Sequence, residues 1–184
     1  MPNHVRTVVK FRNLKGDGDK LFLLRMLARN LKETDDLFTP DHPDYIMDFN
    51  KIIPEPRTIE ECPESCIRTE SSYVEEDTER PWFDWYKWRI HHWDTKWGAY
   101  DGYTEQGNTF LTFVFSTAWS LALPIMEKLT RLGYDFTVYY ADEDYGANCG
   151  KIIYKAKSNE WTHLTEKEVS SNPTNYAKRI WDRY

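Results

Sequence analysis

Cysteine, glycine and long apolar runs are all scarce in this chain. The three cysteines, Cys62, Cys66 and Cys149, are an odd number. No positively charged leader with an apolar core precedes them, so neither secretion nor a disulfide framework is expected, and the cytoplasm is the expected location. Cys62 and Cys66 are four apart, but Pro63 intervenes and no second ligand pair stands out, which argues against structural zinc; no metal site is expected. No apolar run approaches the roughly 20 residues of a membrane-spanning helix, so no membrane partner is expected. With 24 basic against 30 acidic residues and a formal charge of −6, the chain lacks the cationic excess of a protein that works by neutralising phosphates. Net charge leaves room for a local basic face, and direct binding of free nucleic acid stays open. A Gly-rich phosphate loop, a Gly-x-Ser-x-Gly elbow and a Ser/His/Asp set are also missing, so no cofactor is expected.

What the chain has in quantity is aromatic surface. Aromatics make up 16% of the 184 residues, eight of them tryptophan, a composition that orders a globular chain. The length suits one buried core, and residues 1–184 are read as a single domain. Residues 4–12 alternate and are rich in valine, predicting a first strand. A helix follows over 19–32, with Asp19 as N-cap and Leu23, Leu24, Leu27 and Leu31 as its buried stripe. Residues 33–44 read as a loop, 45–49 as a short extended segment, and Thr58 as the cap of a short helix.

An insertion is expected at about 55–93. Between Glu60 and Asp84 acids far outnumber Arg68 and Arg80, the only basic residues there. Residues 82–93 read as a helix, then 95–100 and 108–115 as strands joined by a turn containing Gly102 and Gly107. A second long helix is predicted over 119–132, with Pro124 tolerated near its first turn and Gly133 stopping it. Residues 135–141 and 151–155 form a predicted hairpin, and a short helical tail is placed at about 172–184, with its helix over 174–183. Strand, helix, strands, helix, paired strands is the order of an α+β split β-α-β arrangement, a mainly antiparallel sheet with two helices on one face.

The stretch 82–103, WFDWYKWRIHHWDTKWGAYDGY, is followed by Phe-Val-Phe-Ser-Thr-Ala-Trp-Ser at 113–120 and preceded by Met-Asp-Phe-Asn-Lys-Ile-Ile-Pro-Glu-Pro at 47–56. On these motifs the chain resembles the Api92-like / YubB-like proteins of phages, plasmids and integrated elements. The resemblance is most specific over about 88–155, and the chain departs from the family's Trp-Gly-Thr-Lys-Trp-Asn-Ala pattern at Asp94 and Gly98. It implies a ferredoxin-like core and a mobile-element context, and it implies no particular reaction.

Each candidate group admits two readings. Trp93 and Trp97, flanking Lys96, stack on nucleobases or anchor a protein interface if exposed; buried, they close the core and seek acceptors for their indole N–H groups. His91 and His92 diverge by about a hundred degrees on a helix, so they do not grip one ion together, although one of them has the titration range of a general acid or base. Asp142, Glu143 and Asp144 offer oxygen ligands near a turn, yet lack the alternating spacing of a calcium loop. Glu75, Glu76, Asp77 and Glu79 make an acidic patch suited to a basic partner, or simply to solvent.

The functional expectation combines these residues with the implied context: a cytoplasmic mobile-element accessory protein that binds a host protein or ribonucleoprotein. The favoured version is an anti-defence inhibitor, such as an anti-CRISPR directed at a Cas9-type effector with its guide RNA. The first alternative is a metal-independent ribonuclease, or a trigger of guide-RNA cleavage, using His91 or His92 with Lys96 or a nearby tyrosine. The second is a structural or regulatory oligomeric module.

Overall fold

The computed structural model describes residues 3–31, 45–68, 82–158 and 160–184. Strand β1, His4–Arg12, occupies the middle of a six-stranded sheet. Its alternation turns Val5, Val9 and Phe11 to one face and Val8 to the other, and all four side chains are buried. Helix α1 (Asp17–Leu27) follows, then β2 (Ala28–Asn30), which pairs with β3 (Tyr45–Met47). Helix α2 (Phe49–Ile52) starts where the Asp48 carboxylate accepts the Asn50 N–H at 3.0 Å. After two 3-10 turns, β4 (Ile67–Arg68) pairs with β5 (Trp82–Phe83), and α3 (Trp85–Trp93) begins at Asp84, whose side chain accepts the Lys87 N–H.

The remaining strands complete the main sheet. They are β6 (Tyr100–Gly107), β7 (Phe110–Ala118), β8 (Phe136–Asp142), β9 (Cys149–Lys155) and β10 (Glu160–Leu164). Helix α4 (Leu123–Arg131) lies between β7 and β8, and α5 (Glu166–Val169) and α6 (Pro173–Arg183) follow β10. The order is β10-β9-β8-β1-β7-β6 and every neighbouring pair is antiparallel. Four adjacent strands, β8-β1-β7-β6, with α1 and α4 as crossovers, form the ferredoxin-like split β-α-β; β9 and β10 extend it beyond β8.

Both expected helices pack on the same face. Leu23, Leu24 and Leu27 of α1 and Ile125, Met126 and Leu129 of α4 join Val5, Val9, Phe11, Phe113, Phe115 and Val138 in one buried cluster. The opposite face is covered by α6, whose Ala177 and Ile180 bury against Val8, Val114, Ala141 and Cys149. The Trp181 indole N–H donates to the Ala141 and Asp142 carbonyls, and the Tyr176 hydroxyl donates to the Gly150 carbonyl at 2.7 Å. The predicted tail is therefore an integral layer of the fold.

Several local expectations are corrected. Helix α1 begins at Asp17, after Gly16 at φ +134°, and Asp19 is not its cap: its carboxylate turns back to accept the Lys15 N–H at 2.7 Å. It ends at Leu27 because Ala28 turns extended to pair with β3, leaving Leu31 outside the helix. The 82–93 helix starts three residues late, since 82–83 are strand. The first strand of the central hairpin runs from Tyr100 rather than over 95–100, and the turn is Asn108-Thr109. Gly102 lies inside β6 beside a register slip, where a Cβ would collide with the Val114 carbonyl oxygen.

The docking of α6 carries a testable cost. Ile180→Ala is expected to destabilise the protein by about 2–5 kcal/mol in urea unfolding. Lys178→Ala, on the exposed side of the same helix, is expected to stay within about 0.5 kcal/mol of the parent.

Candidate interaction site

The C-terminal end of α3 and the end of β7 are locked together. Asp94 follows α3 in the left-handed region at φ +60°. Next to it, the fully buried Thr95 hydroxyl donates to the Ala118 carbonyl at 2.9 Å and accepts the Ala118 N–H at 3.1 Å. The Ser120 hydroxyl donates to the Asp94 carbonyl, and the Thr117 hydroxyl donates to the Ser120 carbonyl at 2.7 Å. Between these ties Trp119 takes φ +73°. For a bulky side chain that conformation costs on the order of 1–3 kcal/mol and persists only where the surroundings enforce it. The Trp119 N–H donates to the Asn3 carbonyl at 2.8 Å, and the Trp119 carbonyl accepts from Asn148 at 3.4 Å.

This backbone holds an aromatic surface in place. The Lys96 ammonium lies 4.9 Å from the Trp97 ring centroid and 5.8 Å from each of the Tyr86 and Trp119 rings. Such contacts contribute about 0.5–1 kcal/mol each at exposed sites, so the cation organises the rings around itself. Tyr86 meets Trp119 edge to face at 6.2 Å, and Trp85 meets Tyr86 at 6.0 Å. Trp85 is 43% exposed, Tyr86 40% and Trp119 40%, while Leu123 opens α4 four residues on, also exposed. Large rigid aromatics such as Trp and Tyr are the side chains that binding hot spots favour.

The other predicted residues fall elsewhere. Trp93 is only 1% exposed; its indole donates to the Ile53 carbonyl at 3.0 Å and its ring packs on Phe49 and Trp88, so it is a core residue with no free face. Trp97 is partly buried, edge-on to Tyr100, and lines a cleft of about 390 Å³ with Arg29, Asp48, Asn50 and Arg89. Arg89 forms a two-pronged pair with Glu55 (2.5 and 2.9 Å), its guanidinium 5.0 Å from the Trp85 ring centroid and 5.1 Å from that of Trp93. The His92 ring stacks on Trp88 at 4.3 Å, and its Nδ1 lies 2.9 Å from the Trp88 carbonyl, placing the donor there. His91 is exposed, its ring 5.1 Å from that of His92.

Around Asp142 the acids organise their own turn. Its carboxylate accepts the Asp144 N–H and the Asn3 and Asn148 amides, Glu143 accepts the His4 N–H, and Asp144 accepts from Asn3. Among the described residues no group of three or more His, Cys, Asp or Glu is placed to hold a metal ion. Glu75, Glu76, Asp77 and Glu79 lie outside the described residues.

Sequence reasoning missed Trp119 as a surface residue because it was counted into a helix. Pro124 carried the signal: proline favours the first helical turn, so a helix starting at Leu123 leaves Trp119 in the connection.

Fold and surface together define a ferredoxin-like α+β domain that presents an ordered aromatic patch. The family model described as the ferredoxin-like domain in Api92-like protein matches residues 92–183, and the chain belongs to that Api92-like family. No curated protein and no solved structure matches the chain. The matched segment supplies β6 through α6, whereas β1, inserted between β7 and β8, comes from upstream of it. Within the matched segment Asp94 is left-handed, a region that aspartate tolerates better than most residues.

Trp119 and Trp93 are expected to behave oppositely. Trp119→Gly should leave stability within about 1 kcal/mol of the parent, since relief of the left-handed strain offsets the lost ring contacts. Trp93→Ala should cost about 3–5 kcal/mol. Chemical denaturation of the two variants separates a presented ring from a packed one.

Proposed function

We propose that this protein is a mobile-element accessory protein that binds a host macromolecule through the surface formed by Trp85, Tyr86, Lys96, Trp119 and Leu123. The observation that carries the proposal is Trp119, a bulky exposed ring held in a strained backbone conformation beside a second exposed ring. Strain retained at an exposed aromatic has no stabilising purpose in the isolated fold, and it pre-organises a contact surface. The target class proposed is a host defence ribonucleoprotein of the Cas9 type, which brings the mobile-element context together with the acidic character of the chain. Glu75, Glu76, Asp77 and Glu79 are proposed to guide association with the basic surfaces of such a partner.

A ribonuclease needs a histidine or lysine oriented toward substrate, with a partner group to hold it. Neither histidine donates a hydrogen bond to a carboxylate among the described residues, and Lys96 is surrounded by rings. The geometry therefore favours binding over cleavage.

The test uses purified Cas9-type effector loaded with guide RNA. DNA cleavage should be inhibited by the parent protein, and Trp119→Gly or Tyr86→Ala should raise the inhibitory concentration at least about 30-fold, the size of a hot-spot loss. Capture from host lysate, compared between parent and Trp119→Gly, extends the same test to other partners. Partner capture or inhibition that survives both substitutions contradicts the aromatic surface. Cleavage of labelled RNA by the isolated protein, abolished by His91→Ala or His92→Ala, contradicts the binding reading.

A further inference from the structure

The face of the sheet covered by α6 carries a second feature, independent of the aromatic surface. An open groove of about 740 Å³ runs between the C-terminal half of α6, α5 and the strands β1, β8 and β9. Its lining includes Lys10, Arg12, Lys151, Arg179 and Arg183, five cations against the carboxylates of Glu168 and Asp182. In a chain with 30 acids and 24 bases this is a local reversal of charge. We propose that the groove is a binding site for a single strand of nucleic acid.

The placement follows from register. On β1, Lys10 and Arg12 alternate with Val9 and Phe11 and so fall on the α6 side with Val8. Val8 pairs with Tyr139 of β8, which pairs in turn with Lys151 of β9, so a hydrophobe, a tyrosine and a lysine stand in one row across the sheet. Arg179 and Arg183 come down from α6 onto this strip.

Cations in the last turns of a helix offset its dipole, which accounts for Arg183 alone. No such reason applies to Lys10, Arg12 or Lys151. None of the five forms an ion pair among the described residues. Glu105 of β6 stands in the same row as Lys10, on the far side of Thr112 of β7; the Glu168 carboxylate is taken up by the Thr165 N–H and hydroxyl at 2.9 and 2.8 Å. Burial, and then the neighbouring Arg12 and Arg183, push the Lys10 ammonium below its ordinary pKa, with Glu105 opposing. Five cations lining one groove, none of them in an ion pair among the described residues, are a site suited to an anion.

The rings choose between anions. Lys10 lies 5.0 Å over Phe110, Lys151 5.6 Å over Tyr139, and Arg183 5.1 Å over Tyr184. Cations interleaved with aromatic faces match a strand that offers phosphates and bases in alternation, and every base has a face to stack. An isolated phosphate or an acidic peptide uses only the charges.

Fluorescence anisotropy with a labelled oligouridylate of about 12 nucleotides tests the proposal. Binding is expected, with log K falling against log salt at a slope of about −2 to −3, as for three or four phosphate contacts on a single strand. Lys10→Glu with Arg12→Glu should weaken binding at least about 30-fold, whereas Lys128→Glu with Arg131→Glu, the same charge change on α4, should cost less than about threefold. If the reversed pair fails to fold by circular dichroism, Lys10→Gln with Arg12→Gln should still weaken binding about tenfold. Trp119→Gly should bind the strand like the parent, which keeps this test separate from the aromatic-surface reading.

Equal losses from both reversed pairs would mean a general charge effect and would overturn the site. So would competition by inorganic phosphate or polyglutamate as effective, per charge, as the strand itself. Absence of binding by the parent at about 50 mM salt would overturn it outright.

Discussion

The two-sided pairing of β1 is the constraint on which the rest depends. It is hydrogen-bonded to β7 along its whole length and to β8 over most of it, so neither of its faces is free to slip. A shift of one residue would send Val5, Val9 and Phe11 away from the helices and bring Lys10 and Arg12 into the core. Correct register therefore fixes three things at once: the helix-covered core, the docking ground for α6, and the charged strip beside it. That one strand comes from upstream of the family-matched segment, so the ferredoxin-like sheet is assembled from chain segments far apart in sequence.

The second organising device is the link between α3 and the end of β7. Thr95 ties itself to Ala118 in both directions, and Ser120 reaches back to Asp94. Two left-handed residues, Asp94 and Trp119, lie on either side of these ties. A network this closed leaves the aromatic rings little freedom, which lowers the ordering cost of binding. The same chain contains buried tryptophans used in the ordinary way: Trp93 and Trp88 pack edge to face in the core, and Trp93 finds a carbonyl for its N–H.

The sequence was readable wherever a periodic pattern met a buried surface. The alternation of β1 and the Leu23, Leu24 and Leu27 stripe of α1 are both in their expected places, as is the hairpin of β8 and β9, because one face of each is covered. Boundaries set by tertiary pairing were not readable. Nothing in Ala28–Asn30 announces a strand until β3 arrives beside it, and Glu160–Leu164 is an edge strand whose residues are mostly exposed. Gly102 looked like turn chemistry and serves instead a close approach to β7. At the candidate site, the sequence assembled Lys96 and Trp97 by proximity; the contributions of Tyr86 and Trp119, ten residues before and twenty-three after Lys96 in the chain, required the fold. Composition also concealed the cationic groove, since a net charge of −6 says nothing about where the cations stand.

The central proposal is that the ordered aromatic surface, rather than a catalytic group, is what this protein offers a partner. Hydrogen–deuterium exchange of the protein with and without its bound partner measures that directly. The account predicts slowed exchange concentrated at residues 85–97 and 117–123, with the helix α1 amides unchanged. Protection confined to other surfaces, with 85–97 and 117–123 exchanging as in the free protein, would contradict it.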